Sequence, residues 1–286
     1  MGLRKRGTVN TGDRKADPTA MSMIDTTLKA AEILDALDRQ KRLTAFCGIE
    51  LPQAYAVVAE MKRLRTARGE KVLGRKIGFT NRTIWDEYKV FAPIWGYMYD
   101  TTLFEASAAR KVDLSKFAEP RIEPEIAFGF ERMPEAGMSP AQILDCVGWI
   151  SHGFEIVQSH YPDWKFAAPD TVANNALHGA FYLGEKLSVA NDRAAWLNAL
   201  TDFEIVLYRD EALVDTGHAR NVLDGPLFAI KHLLDLLKDD PHNPPVAAGE
   251  IITTGTVTRP WPMASGESWR TEVHGLKLPG VEIITQ

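Results

Sequence analysis

From Val72 onward the sequence consists of short apolar segments separated by glycine, proline and asparagine, a pattern typical of β-strands. The segments that best fit a strand are VLGRKIGF (72–79), EIAFGF (125–130), GWISHGFEIVQ (148–158), GAFYLG (179–184), FEIVLYRD (203–210) and EIITTGT (250–256). Helical patterns at 139–149, 193–200 and 226–237 do not alternate regularly with these strands, as they would in a doubly wound sheet. The sequence therefore predicts a β-rich core, either α+β or all-β, for residues 71–286.

Two amphipathic helices are predicted ahead of this core. Thr26 or Thr27 can cap a helix through LKAAEILDALDRQ, where apolar residues recur at helical spacing. A second helix is predicted to begin near Pro52 and to end at Gly69. We expect residues 23–70 to form an N-terminal helical subdomain.

Residues 1–22 are predicted to form a disordered leader. This stretch begins with basic residues but has no apolar segment of the kind found in a secretory signal peptide. Met21 or Met23 could be the natural start of the protein.

The composition excludes several classes of partner. A net charge of −5 argues against a nucleic-acid or anionic-membrane partner, and no apolar run approaches the roughly 20 residues that cross a bilayer. Two cysteines, Cys47 and Cys146, without a CxxC pair are expected to be buried thiols of a cytoplasmic protein. Neither a nucleic acid nor a membrane is therefore expected as a partner.

Carboxylates are the most distinctive candidates for chemistry, because the sequence contains no GxGxxG after a strand, Walker A loop, GxSxG or HExxH motif. Glu123 and Glu125 are two residues apart in an apolar strand and so share a face, while Glu155 lies in another apolar strand. If these strands are neighbours, three carboxylates without a cysteine or histidine cluster favour Mg²⁺ or Mn²⁺ over zinc. The alternative is a salt-bridged pair with Arg121 or Lys76.

Four stretches, in this order along the chain, resemble the 2-keto-4-pentenoate hydratase and 4-oxalocrotonate decarboxylase family of the fumarylacetoacetate hydrolase superfamily. They are GRKIGFTN (74–81), EPEIAFGF (123–130), GFEIVQSHYPDWKF (153–166) and ITTGT (252–256). The resemblance extends from about Met21 to the C-terminus. It implies an α+β fold with a mixed β-sandwich or β-roll core and an N-terminal helical part. It also implies a homo-oligomer that could associate with another enzyme of its pathway.

The same resemblance implies the site residues. Glu123, Glu125 and Glu155 correspond to the metal ligands, with Mg²⁺ expected and Mn²⁺ as the alternative. Lys76 corresponds to the family's active-site lysine and is expected both to bind the substrate and to take part in catalysis. Three glutamates and one Mg²⁺ leave a formal charge of −1, which a lysine would offset for an anionic substrate.

The sequence departs from the family pattern at the expected acid–base positions. Ile94 stands in PIWG, where many relatives carry an acid, and ANN (173–175) stands where many have Ala-Asp-Asn. Asn174 and Asn175 can still hydrogen-bond a substrate, although amides are poor bases. His178 is a catalytic candidate because histidine titrates near neutral pH, the alternative being a structural hydrogen bond.

The implied function is a divalent-metal-dependent hydratase of a 2-hydroxy-2,4-dienoate or 2-oxo-alkenoate in aromatic-compound catabolism, acting through a metal-chelated enolate. The alternatives are a 4-oxalocrotonate decarboxylase, an acylpyruvate-type C–C hydrolase, and a non-catalytic metal-binding partner of such enzymes. The substrate's tail is expected to contact the aromatic-rich segments 85–99 and 259–269. Arg259 could bind a second carboxylate, although an arginine is more often exposed.

Overall fold

The computed structural model describes residues 25–45, 49–106 and 111–286, so the predicted leader, residues 1–22, and Cys47 lie outside the described residues. The helices in this part of the chain are α1 (Thr26–Arg39), α2 (Leu51–Ala67), α3 (Trp85–Tyr88), α4 (Pro140–Asp145), α5 (Ala168–Ala173), α6 (Arg193–Ala199) and α7 (Pro226–Lys238). The strands are β1 (Val72–Gly78), β2 (Ile94–Tyr99), β3 (Leu103–Glu105), β4 (Lys111–Val112), β5 (Arg121–Phe130), β6 (Val147–Val157), β7 (His178–Leu183), β8 (Leu187–Ser188), β9 (Glu204–Arg209), β10 (Ala212–His218), β11 (Ile251–Thr253), β12 (Trp261–Pro262), β13 (Ser268–His274) and β14 (Glu282–Thr285).

The described strands form two sheets, which confirms the predicted α+β class with a mixed β core. The larger sheet has the order β2-β1-β11-β5-β6-β7-β3, with β12 added to β5 and β8 added to β6. The smaller sheet has the order β10-β9-β13-β14-β4. Both sheets contain parallel and antiparallel pairs, since β1 runs parallel to β11 and β14 runs parallel to β4.

The N-terminal helices pack on each other and on the larger sheet. α2 contacts α5 and β2, and Ile33 and Val57 belong to the same buried cluster as Trp95 on β2. The helical region is present as predicted, but its own core is continuous with that of the sheet. The domain boundary at residue 70 therefore stays a prediction.

The cap of α1 and the end of α4 differ from the sequence prediction. Asp25, rather than Thr26 or Thr27, caps α1, because its side chain accepts the backbone N–H groups at the start of the helix. The predicted helix 139–149 ends at Asp145, and Trp149 already lies in β6, paired with Ser188 of β8. Pairing with β5 and β8 outweighs the local helical pattern there.

Candidate metal centre

The pairing of β5 with β6 brings the three predicted glutamates together. Glu123 lies directly opposite Glu155, and Glu125 lies opposite Gly153. Opposite residues on neighbouring strands and alternate residues on one strand share a face, so all three carboxylates point the same way. One oxygen from each lies within 4.8 Å of the others.

Burial makes this cluster costly unless positive charge accompanies it. Glu125 and Glu155 are fully buried and Glu123 is 8% exposed. Burial raises the pKa of Glu123 to about 8 and that of Glu155 to about 7. Burial, followed by the nearby Glu155 carboxylate, raises the pKa of Glu125 well above its ordinary value.

The carboxylate oxygens are suited to a hard divalent cation. Glu125 Oε2 accepts a hydrogen bond of 2.9 Å from the backbone N–H of Gly255. Three carboxylates can each offer an oxygen ligand, and the Glu125 Oε1 atom is buried without a hydrogen-bond partner among the described residues. Oxygen ligands of this kind are those that Mg²⁺ and Mn²⁺ prefer.

Lys76 places a positive charge beside the three glutamates. Its side chain is 2% exposed, with Nζ 3.2 Å from Glu155 Oε2, and it donates a 3.0 Å hydrogen bond to the carbonyl of Ala176. Burial alone would lower the pKa of Lys76, but the neighbouring carboxylates, Glu155 above all, raise it. Lys76 and a divalent cation would together neutralise the three glutamates.

His178 contacts the cluster through Glu155. Its Nδ1 lies 2.8 Å from Glu155 Oε1, and its Nε2 lies 2.9 Å from the hydroxyl of Thr102. Burial, with the charges of Lys76 and Arg65, holds the pKa of His178 well below its usual range. A neutral ring that donates from Nδ1 and accepts at Nε2 fits both contacts and orients Glu155. The predicted catalytic role of His178 stays a prediction.

The two predicted asparagines are engaged within the fold. Asn175 Nδ2 donates to the carbonyl of Tyr97 at 2.8 Å, and Asn175 Oδ1 accepts from the N–H of Tyr97, also at 2.8 Å. Asn174 Nδ2 lies 3.1 Å from Nδ1 of His160. Their predicted role in substrate binding stays a prediction, and the contacts of Asn175 are those of a residue that secures β2.

We expect Asn175→Ala to lower the free energy of unfolding by about 2–6 kcal/mol. The change leaves the buried N–H and C=O of Tyr97 without partners, each at a cost of about 1–3 kcal/mol. Urea denaturation of the metal-free protein measures the loss. The matched control is Asn198→Ala on the exposed side of α6, which should change stability by less than about 0.5 kcal/mol. A loss for Asn175→Ala no larger than the control's would contradict this structural role.

A narrow pocket with an open mouth lies beside Lys76 and Glu123. Four residues of its lining have left-handed backbone conformations: Phe79 (φ 53°), Trp164 (φ 57°), Ala176 (φ 54°) and Leu177 (φ 61°). Such conformations cost about 1–2 kcal/mol for residues other than glycine. Their concentration around one pocket favours a functional role for it.

Comparisons with known proteins identify the family and the fold of the chain. No model of a protein family matches the chain. The chain is 32% identical over 224 residues to 2-hydroxyhexa-2,4-dienoate hydratase of Comamonas testosteroni, across 78% of this chain and 82% of that protein. The chain belongs to the 2-keto-4-pentenoate hydratase and 4-oxalocrotonate decarboxylase family. The resemblance found in the sequence is thereby confirmed.

Solved structures show the fold of this hydratase and decarboxylase family. The 4-oxalocrotonate decarboxylase from Pseudomonas putida G7, solved with magnesium and adipate, superposes with a TM-score of 0.82 at 25% identity, over 91% of this chain and 97% of that one. The fumarylpyruvate hydrolase from Pseudomonas aeruginosa, solved with Mn²⁺ and pyruvate, gives a TM-score of 0.54 at 11% identity, over 74% and 88%. The fumarylacetoacetate hydrolase type of core is confirmed.

Three contacts of the site in this family member were not predicted. They are the Gly255 N–H bond to Glu125, the Ala176 carbonyl that accepts from Lys76, and the Thr102 hydroxyl beside His178. Gly255 has a φ of 90°, and a Cβ there would lie 2.0 Å from the Thr80 hydroxyl, so the glycine in ITTGT was the available signal.

No helix of the described residues is long and apolar enough to cross a membrane.

Proposed function

We propose that this protein is a divalent-metal-dependent hydratase that acts on a 2-hydroxy-2,4-dienoate or 2-oxo-alkenoate in aromatic-compound catabolism. The observation that carries the proposal is the buried set of Glu123, Glu125 and Glu155, with Lys76 beside it at a pocket. The hydratase of Comamonas testosteroni, at 32% identity, supports this activity.

Glu123, Glu125 and Glu155 would hold Mg²⁺, with Mn²⁺ as the alternative. When bound, the cation supplies Lewis-acid stabilisation of the enolate of a 2-oxo acid. The decarboxylase of Pseudomonas putida G7 was solved with magnesium and the fumarylpyruvate hydrolase with Mn²⁺, and both support this choice of metal.

Lys76 is proposed to bind the substrate and to transfer a proton. Its ammonium group borders the pocket and can donate a hydrogen bond to an oxygen of the anionic substrate. The largely apolar walls of the pocket lower the local dielectric beside this ammonium group and so strengthen the interaction. His178 contributes by holding Glu155 in place, and Ile94, buried on β2, supplies no proton.

A 4-oxalocrotonate decarboxylase is the second candidate, favoured by the superposition on the enzyme from Pseudomonas putida G7. It would use the same glutamates and Lys76. We further propose a cytoplasmic homo-oligomer that could associate with another enzyme of its pathway.

The test is turnover of three compounds by the purified protein with Mg²⁺: 2-hydroxypenta-2,4-dienoate, an oxalocrotonate and an acylpyruvate. We expect loss of the dienoate with incorporation of water, and no turnover after removal of the metal with a chelator. Release of CO₂ from the oxalocrotonate alone would establish the decarboxylase instead.

Two further outcomes contradict the hydratase proposal. Release of pyruvate from the acylpyruvate alone would make the protein a C–C hydrolase. Tight Mg²⁺ binding without turnover of any of the three would favour a non-catalytic partner. The hydratase proposal requires that the dienoate be turned over.

A further inference from the structure

The pocket beside the metal centre has charge at one end only. Among the described residues that line it, the charged ones are Lys76 and Glu123, both next to the carboxylate cluster. The rest of the wall is mainly apolar and includes Ile84, Leu177 and Pro260. A 2-oxo acid bound through its oxygens at the cluster would therefore extend its tail along apolar side chains.

The aromatic part of this wall is packed in place. Tyr88 stacks on Phe166, with ring centroids 6.0 Å apart and an interplanar angle of 10°. The rings of Trp164 and Tyr88 have centroids 6.1 Å apart and an interplanar angle of 62°. For Phe79 and Tyr88 the centroid distance is 5.8 Å and the interplanar angle is 71°. Rings held edge to face and stacked in this way form a preorganised hydrocarbon surface.

The arginines near this wall are already engaged. Arg259, adjacent to Pro260 of the lining, forms an ion pair with Glu87, and its backbone N–H donates to Asp215. Arg82, two residues before Ile84, pairs with Asp224 at 2.9 Å. Each guanidinium is thus paired with a carboxylate of the protein, and neither arginine is among the described residues that line the pocket.

Arg121 shares a face of β5 with Glu123, and its guanidinium contacts two rings of the aromatic wall. Its guanidinium carbon is 4.3 Å from the centroid of the Trp164 ring, and its Nη1 donates to the Tyr88 hydroxyl at 2.5 Å. These contacts fix the two rings that face the pocket. Arg121 therefore supports the wall from outside the lining.

We propose that this pocket selects 2-oxo acids with an uncharged hydrocarbon tail and rejects those with a second, terminal carboxylate. The inference rests on the proposed function, since it assumes that the 2-oxo acid group binds at the glutamate cluster. A terminal carboxylate would lose its hydration against Ile84, Leu177 and the aromatic rings without gaining a cation. An alkyl or aryl tail loses nothing there and gains apolar contact.

The test uses two probes, 2-oxohexanoate and 2-oxohexanedioate. Neither has a C=C bond to which the enzyme could add water. They share the 2-oxo acid group and the six-carbon chain, and they differ only in a terminal methyl or carboxylate. Calorimetric titration of the Mg²⁺-loaded protein should show 2-oxohexanoate binding at least about 100-fold more tightly, because an unpaired buried charge is strongly disfavoured.

Two variants examine the cause of the selectivity. Ile84→Arg places a cation in the pocket and should reduce the preference for 2-oxohexanoate over 2-oxohexanedioate at least about tenfold. Circular dichroism checks that this variant is folded. Arg121→Met should loosen the rings of Tyr88 and Trp164 and weaken the binding of both acids alike, so that the ratio of their affinities changes by less than about threefold. Selective loss of dioate binding in Arg121→Met would overturn the inference and make Arg121 a carboxylate receptor.

The outcomes separate this inference from the proposed function. Equal or tighter binding of 2-oxohexanedioate by the Mg²⁺-loaded protein overturns the inference and leaves the metal-dependent 2-oxo acid site intact. Failure of both acids to bind while Mg²⁺ is bound overturns the proposed function, and the inference with it.

Discussion

Replacing Glu125 by glutamine is expected to lower the affinity for Mg²⁺ by more than about 100-fold, since losing an outer hydrogen-bond partner of a ligand already costs 10–100-fold. Glu125 is fully buried, and its Oε1 has no hydrogen-bond partner among the described residues, so this oxygen is free to bind a cation. Glutamine has the same shape and can still accept the Gly255 N–H through its own oxygen. The change therefore removes a ligand charge with little effect on packing.

Calorimetric titration with Mg²⁺ measures the affinity directly, and thermal unfolding provides a second readout. At 100 times its dissociation constant, Mg²⁺ should stabilise the unsubstituted protein by about 2.7 kcal/mol and the variant hardly at all. Glu185→Gln is the matched control, because Glu185 is exposed and far along the chain from the cluster. Unchanged Mg²⁺ affinity in Glu125→Gln would show that the metal centre is assigned to the wrong residues.

Lys76→Met is expected to retain Mg²⁺ and to lower kcat/KM by about 10²–10³-fold, the usual effect of removing one donor that stabilises developing negative charge. Lys76 Nζ is 3.2 Å from Glu155 Oε2, and it borders the pocket. Without it, the three glutamates and a divalent cation have a net charge of −1, which repels an anionic substrate. Methionine occupies a similar volume and keeps the buried position filled.

The measurement is steady-state kinetics at saturating Mg²⁺, with metal binding determined on the same sample. Lys277→Met is the control, because Lys277 is exposed, and its kinetics should match those of the unsubstituted protein. Full activity of metal-loaded Lys76→Met would remove Lys76 from the mechanism. Loss of both metal and activity would instead assign it a structural role in the cluster.

Local patterns predicted the strands of the site better than the ends of some helices. The apolar run 125–130 indicated β5, and the i, i+2 spacing of Glu123 and Glu125 placed both on one face, as the structure has them. The pattern at 139–149 suggested one helix, yet Trp149 lies in β6. Periodicity over a few residues does not distinguish a helix end from a buried strand when partners elsewhere in the chain decide the outcome.

The surroundings of Asn175 and His178 also could not be predicted from local sequence patterns. Asn175 was predicted to bind substrate because of its place in ANN, and the structure pairs both its amide atoms with Tyr97, 78 positions away in the chain. His178 was singled out for its ordinary pKa, but its environment is set by burial and by Glu155 and Thr102. The hydrogen-bond partners of Asn175 and His178 could not be identified from their spacing in the sequence.

Four stretches of the chain indicated the family by resemblance. The chemical inventory was also evident before the fold was known: acids in core strands, a lysine in another strand, and the absence of common cofactor motifs. These follow from residue type and local periodicity, which each segment carries on its own. The folded chain was needed to show that Glu155 lies opposite Glu123, that Lys76 reaches Glu155, and that the pocket wall is mainly apolar. Such contacts join residues far apart in the chain, and strand register and long-range packing create them.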